Sequence, residues 1–287
     1  MADLITLDRA RQNLPASTND DEPVIATLIT SASRAVERFC RRVFVATPFD
    51  ETYDGTGETR LYLRQFPVIR IDRVRNGLKT VLRIKNGQTA NEQARVSVSD
   101  TGLSLVRVSG GVPTTATIAF AANPTLSTVK DAVVALGNGW QAEVASGFAT
   151  WPSADLRPQG AFDAAGRFAD IRMHTAELTN YSTDHEHGVL FRRVDGPFAS
   201  AEHVTIWPIG VGRYRIEYTA GFTTVPEDVQ EATAQLVATF FKELGRNQNL
   251  QTESVVSTHS YNAVRDNSRT LPRSIRVLLL PYRNHRV

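Results

Sequence analysis

From Ile25 to Val43, apolar residues recur at spacings of three and four, at Ile25, Leu28, Ile29, Ala32, Val36, Phe39, Cys40 and Val43. Arg34, Glu37, Arg38, Arg41 and Arg42 fill the opposite side. That period predicts an amphipathic helix of about five turns. Pro23, behind Asp20, Asp21 and Glu22, suits its first turn, where proline forfeits no hydrogen bond and acids face the positive end of the helix dipole. A second long stripe, Val229, Ala232, Leu236, Val237, Phe240 and Leu244, follows Pro226, Glu227 and Asp228 and stops at Gly245. Three shorter helices are expected. One follows Thr6 as N-cap, carries Leu7, Ala10 and Leu14, and ends at Pro15. Another has Asn123 as cap and Pro124 at its first position, carries Leu126, Val129, Val133 and Leu136, and stops at Gly137. The last runs from Leu271-Pro272 through Leu280, with Pro281 ending it.

Elsewhere the period shortens to two. Residues 49–53, 60–63, 68–74, 94–98, 103–108, 115–120, 140–144, 188–194, 203–207, 213–218 and 254–261 read as strands. Asp54-Gly55, Asn76-Gly77 and Asn86-Gly87 read as hairpin turns, because glycine supplies the positive φ that such turns require. Tyr214, Ile216 and Tyr218 alternate with Arg213, Arg215 and Glu217, which predicts one buried and one wet face. From about residue 78 to 176 the texture shifts to Ala, Gly, Ser, Thr and Val with fewer charges, and a Pro/Gly-bearing stretch at 151–166 closes the block. The pattern is α+β, with residues 78–176 as an inserted β-rich α+β domain inside a discontinuous domain of residues 1–77 and 177–287.

Composition narrows the function. With 287 residues and 41% hydrophobic content, the chain can bury a substantial core. No window of roughly 18 apolar residues exists, so no membrane partner is expected, and Met1-Ala2-Asp3-Leu4 does not open a secretory signal. One cysteine, Cys40, excludes an internal disulfide, and its place on the apolar stripe makes it a buried packing residue rather than a nucleophile. The net charge of +2 gives no reason to expect a tight nucleic-acid binder. Its distribution is uneven: residues 261–287 hold six arginines (Arg265, Arg269, Arg273, Arg276, Arg283, Arg286) against Asp266, a local +5 that leaves −3 elsewhere. A basic tail on a near-neutral body suits docking to an acidic surface, and a solvated charge run is the plainer alternative.

Catalytic and cofactor chemistry finds little footing. His185-Glu186-His187, with His174 and Asp184 nearby, is the one cluster resembling metal ligands, but two histidines do not close a tetrahedral site. Gly55-Thr56-Gly57 lacks the lysine and helix of a phosphate loop, and Gly110-Gly111 sits between strands. No Gly-x-Ser-x-Gly turn is present. Asp50 and Glu51, adjacent at a strand, read as solvated acids rather than an acid/base pair. Trp140, Trp151 and Trp207 fit a core better than a carbohydrate-stacking surface. No enzyme, metal or cofactor is expected.

Three separated stretches resemble the tailed-phage head-tail connector (adaptor) family. The first is Ala2-Asp3-Leu4-Ile5-Thr6-Leu7, followed by Leu28-Ile29-Thr30-Ser31-Ala32-Ser33 and Val36-Glu37-Arg38-Phe39-Cys40, with Tyr53-Asp54-Gly55-Thr56-Gly57 and Phe66-Pro67-Val68 beyond. The second is Gly188-Val189-Leu190, then Tyr214 through Phe222 (Tyr-Arg-Ile-Glu-Tyr-Thr-Ala-Gly-Phe) leading into Val225-Pro226-Glu227-Asp228. The third is Leu271-Pro272 with Leu278-Leu279-Leu280-Pro281-Tyr282-Arg283. The similarity covers about 1–77 and 180–287, and residues 78–176 depart from it.

The resemblance implies a small helical-bundle core with a short antiparallel sheet, assembled as a homo-oligomeric ring, typically of twelve, in the virion neck after synthesis in the host cytoplasm. Portal protein and a stopper or tail-completion protein would be its partners, and genomic double-stranded DNA would pass through the lumen without sequence-specific binding. The C-terminal segment would bind portal through Leu271, Arg273, Ile275, Arg276, Leu278, Leu279 and Tyr282. Physically, a short terminal helix with four or five apolar residues must dock on something, either its own domain or a neighbour. Two alternatives stay open: a stopper or tail-completion protein, and a virion binding module whose insert recognises a glycan or decoration partner.

Overall fold

A computed structural model of the chain describes residues 2–14, 21–194, 204–244, 252–255, 259–262 and 271–285. The helices are α1 (Leu7–Gln12), α2 (Glu22–Cys40), α3 (Leu126–Ala135), α4 (Glu227–Leu244) and α5 (Arg273–Leu279). The strands are β1 (Thr47–Gly55), β2 (Arg60–Tyr62), β3 (Val68–Asn86), β4 (Asn91–Val98), β5 (Gly102–Ser109), β6 (Val112–Ala119), β7 (Trp140–Val144), β8 (Gln159–Asp163), β9 (Ala169–Glu177), β10 (Tyr181–Asp184), β11 (Val189–Arg192), β12 (Gly210–Ala220), β13 (Thr252–Val255) and β14 (His259–Asn262). Strand outweighs helix, 41% against 28%, so the α+β class holds but the sheets are larger than a short sheet beside a bundle.

Three apolar clusters organise the chain. In the first, Ile25, Ile29, Ala32, Val36 and Cys40 of α2 pack against Val229, Ala232, Leu236 and Val237 of α4, with Ile275 and Leu279 of α5 closing the third side. The two long stripes thus bury most of the faces their periods define, but Leu244, at the end of the α4 stripe, is 60% exposed because it lies beyond the reach of α2 and α5. In the second, Tyr214, Ile216 and Tyr218 of β12 meet Val74, Leu190 and Trp207. In the third, α3 lies over Val81, Leu82 and Ile84 of β3, Val96 of β4, Leu103 and Leu105 of β5, and Ile171 and Met173 of β9.

Strand β3 is the spine. Its first half pairs antiparallel with β12, from Arg75↔Arg215 to Val68↔Ala220. Its second half pairs with β9, from Arg75↔Glu177 to Ile84↔Ala169, and with β7 from Leu82↔Val144 to Asn86↔Trp140. A second sheet runs β6-β5-β4-β8 and a third β10-β11-β2.

Several local expectations are corrected by these pairings. Asn76-Gly77 is no hairpin: Gly77 has φ +71, but β9 pairs on either side of it, so the positive φ becomes a kink within one 19-residue strand. Asp54-Gly55 does not join β1 to β2, because β1 pairs with β12 and β2 with β11. Gly55 answers to close approach instead, since a Cβ there would lie 1.7 Å from the Pro208 carbonyl oxygen. Thr125, not Asn123, caps α3, its hydroxyl accepting the Thr128 N–H at 3.3 Å while Thr128 Oγ1 accepts the Thr125 N–H at 3.2 Å. Residues 204–207 form no regular strand: Val204 bridges Arg193, and Trp207 exchanges backbone hydrogen bonds with Glu58 and Gly57; His203 lies outside the described residues, as does Pro15.

Candidate functional site: an arginine-lined groove

The end of α2 and the outer face of α5 form the most distinctive surface. Helix α2 stops because Arg41 turns left-handed, at φ 54, with its N–H on the Glu37 carbonyl. This turn leaves Arg38, Phe39 and Arg41 at the surface beside α5. The C-terminal segment is pinned there from within. Ile275 and Leu279 are 1% and 0% exposed. The Asn284 N–H donates to the Cys40 carbonyl at 2.8 Å, and the Tyr282 hydroxyl to Asp228 Oδ2 at 3.4 Å. Arg42, buried among the rings of Phe44, Phe66 and Phe222, donates to the Tyr282 carbonyl at 3.3 Å and to the Phe66 carbonyl. Burial lowers the pKa of Arg42, and the stacked rings hold the charge as cation–π partners.

Between the two helices lies an open groove of about 610 Å3, lined by Arg38, Phe39, Arg41, Arg273, Arg276, Val277, Leu280 and Arg283. Five of the eight are arginines and the other three are apolar. Val277 and Leu280 are 60% and 49% exposed, and the Arg283 guanidinium sits 5.3 Å over the Phe39 ring. Glu37, the nearest acid on α2, is buried and accepts the Phe44 N–H at 3.3 Å, its pKa raised by burial. An apolar floor with a guanidinium rim is suited to an amphipathic segment that carries carboxylates.

The seven residues expected to dock therefore divide. Arg273 and Arg276 line the groove. Ile275 and Leu279 are inside the subunit's own core and Leu271, Leu278 and Tyr282 pack against it, so as folded they hold α5 in place rather than meet a partner. Of the two dockings left open for the apolar face of the last helix, the structure has the one onto its own domain. Sequence reasoning missed Arg38, Phe39, Arg41, Val277, Leu280 and Arg283. The polar stripe of α2 carried the first signal, but only the packing of α5 beside it joins the two sets. Arg265, Arg269 and Arg286 lie outside the described residues.

A second charged constellation is buried and structural. Arg75, 2% exposed, pairs with Asp155 at 2.7 Å and with Glu217. Arg215 is held by Asp50 at 2.5 and 2.8 Å and donates to the Asp155 carbonyl at 3.0 Å. Burial opposes the charge of Arg215, but Asp50, Asp155 and Glu217 more than offset it and its pKa is raised. The supposed wet face of β12 is thus covered, at Arg215, by ions that clamp the 3-10 turn Ser153–Asp155 onto the sheet. His174, 2% exposed, donates from Nε2 to the Gly212 carbonyl 2.9 Å away, and its pKa is lowered by burial, with Arg157, Arg75 and Arg215 adding to the effect and the Gly212 carbonyl opposing it.

The remaining candidates disperse. His185 meets the Val68 carbonyl at 2.9 Å and His187 meets Asp184 at 3.0 Å, and no group of three metal-ligating side chains forms among the described residues. Asp50 serves Arg215, while Glu51 accepts the hydroxyls of Tyr218, at 2.8 Å, and Tyr53. Trp140 and Trp151 belong to one cluster and Trp207 to another, so they form no common stacking platform. Cys40 is fully buried and its thiol is pushed up to about 12, first by burial.

No protein-family model and no curated protein matches the chain. Similar solved structures include the neck of an empty GTA particle computed with C6 symmetry, at TM-score 0.40. The virion of a native gene transfer agent (GTA) particle follows at 0.37, and the neck of a native GTA particle computed with C12 symmetry at 0.36. In each the identity is 13%, over 99% of this chain and 91% of the other.

Proposed function

We propose that the chain is a non-enzymatic head-tail connector (adaptor) subunit of a tailed-phage-like virion neck, acting as one copy in a ring. The ring joins portal to a stopper or tail-completion protein and leaves a channel for DNA. The observation that carries this reading is the groove of Arg38, Arg41, Arg273, Arg276 and Arg283 around Phe39, Val277 and Leu280. One of its two walls is the segment that the adaptor resemblance assigns to portal binding, and the end of α2 is the other. An acidic amphipathic segment of portal is the occupant its chemistry fits, because carboxylates would meet guanidinium forks while an apolar edge covers Val277 and Leu280. Repetition around a closed ring turns modest single contacts into durable attachment.

The test is binding of the full chain to purified portal. Arg273→Glu with Arg276→Glu should weaken binding at least about tenfold, with the wild-type affinity falling as salt rises. Val277→Asp with Leu280→Asp should act alike, and none of the four exposed or half-buried changes should alter the far-UV spectrum. Unchanged portal binding in both variants would refute the docking mode. A wild-type chain whose groove captures duplex DNA, with no affinity for portal, would refute the reading as a whole.

A further inference from the structure

Among the described residues, the β6-β5-β4-β8 sheet ends in two strands with one partner each. Strand β6 pairs with β5 without a register break, from Gly102↔Ala119 to Ser109↔Val112, across the Gly110-Gly111 turn where both φ are positive. The Phe120 N–H on the Thr101 carbonyl, at 2.9 Å, fixes the phase of this ladder. Alternation then puts the N–H groups of Ile118, Ala116 and Thr114 toward β5 and those of Thr115 and Thr117 outward. Thr115 and Thr117 are exposed.

Proteins blunt such edges with charges, proline or bulges, because a free ladder recruits other chains. From Thr114 to Ala119 this edge has none of the three; Pro113 stands only at its start. At the sheet's other end β8 leaves a groove of about 450 Å3 toward β9, lined by Arg157, Pro158, Gln159, Gly160, Phe162 and Arg172 among others. The Gln159 side-chain nitrogen there is buried without a hydrogen-bond partner.

Strand directions match the two ends to each other. β5 runs antiparallel to β6, β4 to β5 and β8 to β4, so β6 and β8 point in opposite directions. Copies set side by side in the same orientation would therefore bring β8 of one against β6 of the next in the antiparallel sense. Such a contact is heterologous and closes into a ring when the rotation permits. A pairing of β6 with β6 is isologous and makes only twofold pairs. We infer that the inserted β-rich region binds a second copy of this chain by strand addition, the β6 edge seating on the β8 edge of its neighbour.

The inference rests on the reading of the chain as a ring subunit, and the experiment separates the two. The full chain is examined for mass, alone at high concentration and assembled on portal. Thr115→Pro with Thr117→Pro removes two outward donors and no β5 bond, and should lower the assembled fraction at least about tenfold while portal binding by single subunits persists. As a direct measure, a Thr117→Cys chain is mixed with a Gly160→Cys chain under mild oxidation. Position 160 has nothing within 4 Å of an added Cβ, and the native Cys40 is buried and silent. A disulfide between the two chains, and none within either alone, is expected. Unchanged assembly of the proline variant, or cross-links between Thr117→Cys chains only, overturns the strand addition while leaving the ring reading intact. A wild-type chain that stays monomeric in both settings overturns both.

Discussion

Asp155 offers a quantitative test of how the sheet is locked. Its carboxylate is paired with Arg75 at 2.7 Å, and its backbone carbonyl accepts Arg215 at 3.0 Å. The Arg75 side chain is 2% exposed and that of Asp155 17%, so water screens the pair poorly. Asp155→Asn keeps the shape and the carbonyl but removes the charge. Breaking a buried pair leaves an uncompensated ion at about 3 to 5 kcal/mol. Glu217 still faces Arg75, which lowers the expected loss to about 2 to 3 kcal/mol. The assay is urea denaturation of wild type, Asp155→Asn, Arg75→Met and the double variant, read as a cycle. Because Arg75→Met removes the stranded charge, the double variant should recover about 2 kcal/mol relative to the sum of the singles. A loss below about 0.5 kcal/mol in Asp155→Asn, the size of an ordinary surface change, would refute the clamp.

Two further predictions follow from buried groups. Burial above all lowers the pKa of His174 in the folded chain from 6.5, so the unfolded state binds protons first as the solution is acidified. Its contribution to stability is complete above about pH 6.5 and is lost as pH falls through the folded value, by up to about 1.4 kcal/mol per pH unit; His174→Asn should flatten that limb in denaturation series from pH 7.5 to 5, and an unchanged slope would refute it. Leu279→Ala should cost about 2 to 4 kcal/mol by opening a cavity between α5, α2 and α4, measured by thermal or urea unfolding, whereas Val277→Ala, at 60% exposure, should stay within about 0.5 kcal/mol.

The long helices were legible because a single period decides them: Ile25, Ile29, Ala32, Val36 and Cys40 of the α2 stripe are buried, and Leu28 and Phe39 at its margins are partly so. The sheet was legible in its pieces but not in its connections. Asn76-Gly77 has the chemistry of a reversal, and only the distant β9 makes it a kink. Strand β9 itself escaped notice although Ala169, Ile171 and Met173 are buried and alternate with Asp170 and Arg172, since the glycines and proline just before it suggested a loop. The groove was half legible. Arg273 and Arg276 stood out in a basic tail, while Arg38 and Arg41 looked like an ordinary solvated face until Leu279 and Asn284 brought α5 onto the end of α2. Nothing local marks Arg75 and Asp155 as partners, because 80 positions, with four strands and a helix among them, separate the two.

That separation bears on what residues 78–176 do. The proposed boundary between 77 and 78 falls inside β3, whose Val74 belongs to the cluster under β12 and whose Val81, Leu82 and Ile84 belong to the cluster under α3. The strand kinks at Gly77, but β9 pairs with it on both sides of the kink, from Arg75↔Glu177 to Ile84↔Ala169, which splints the point. The Arg75, Arg215 and Asp155 clamp adds a second tie a few residues from the same point. An appendage hung on a flexible linker could move freely against the helices that form the groove. This region shares a strand and a buried ion network with β1 and β12, the strands that lead out of α2 and into α4, so a contact made at the β6 edge and one made at the arginine groove would be held in fixed register within each subunit.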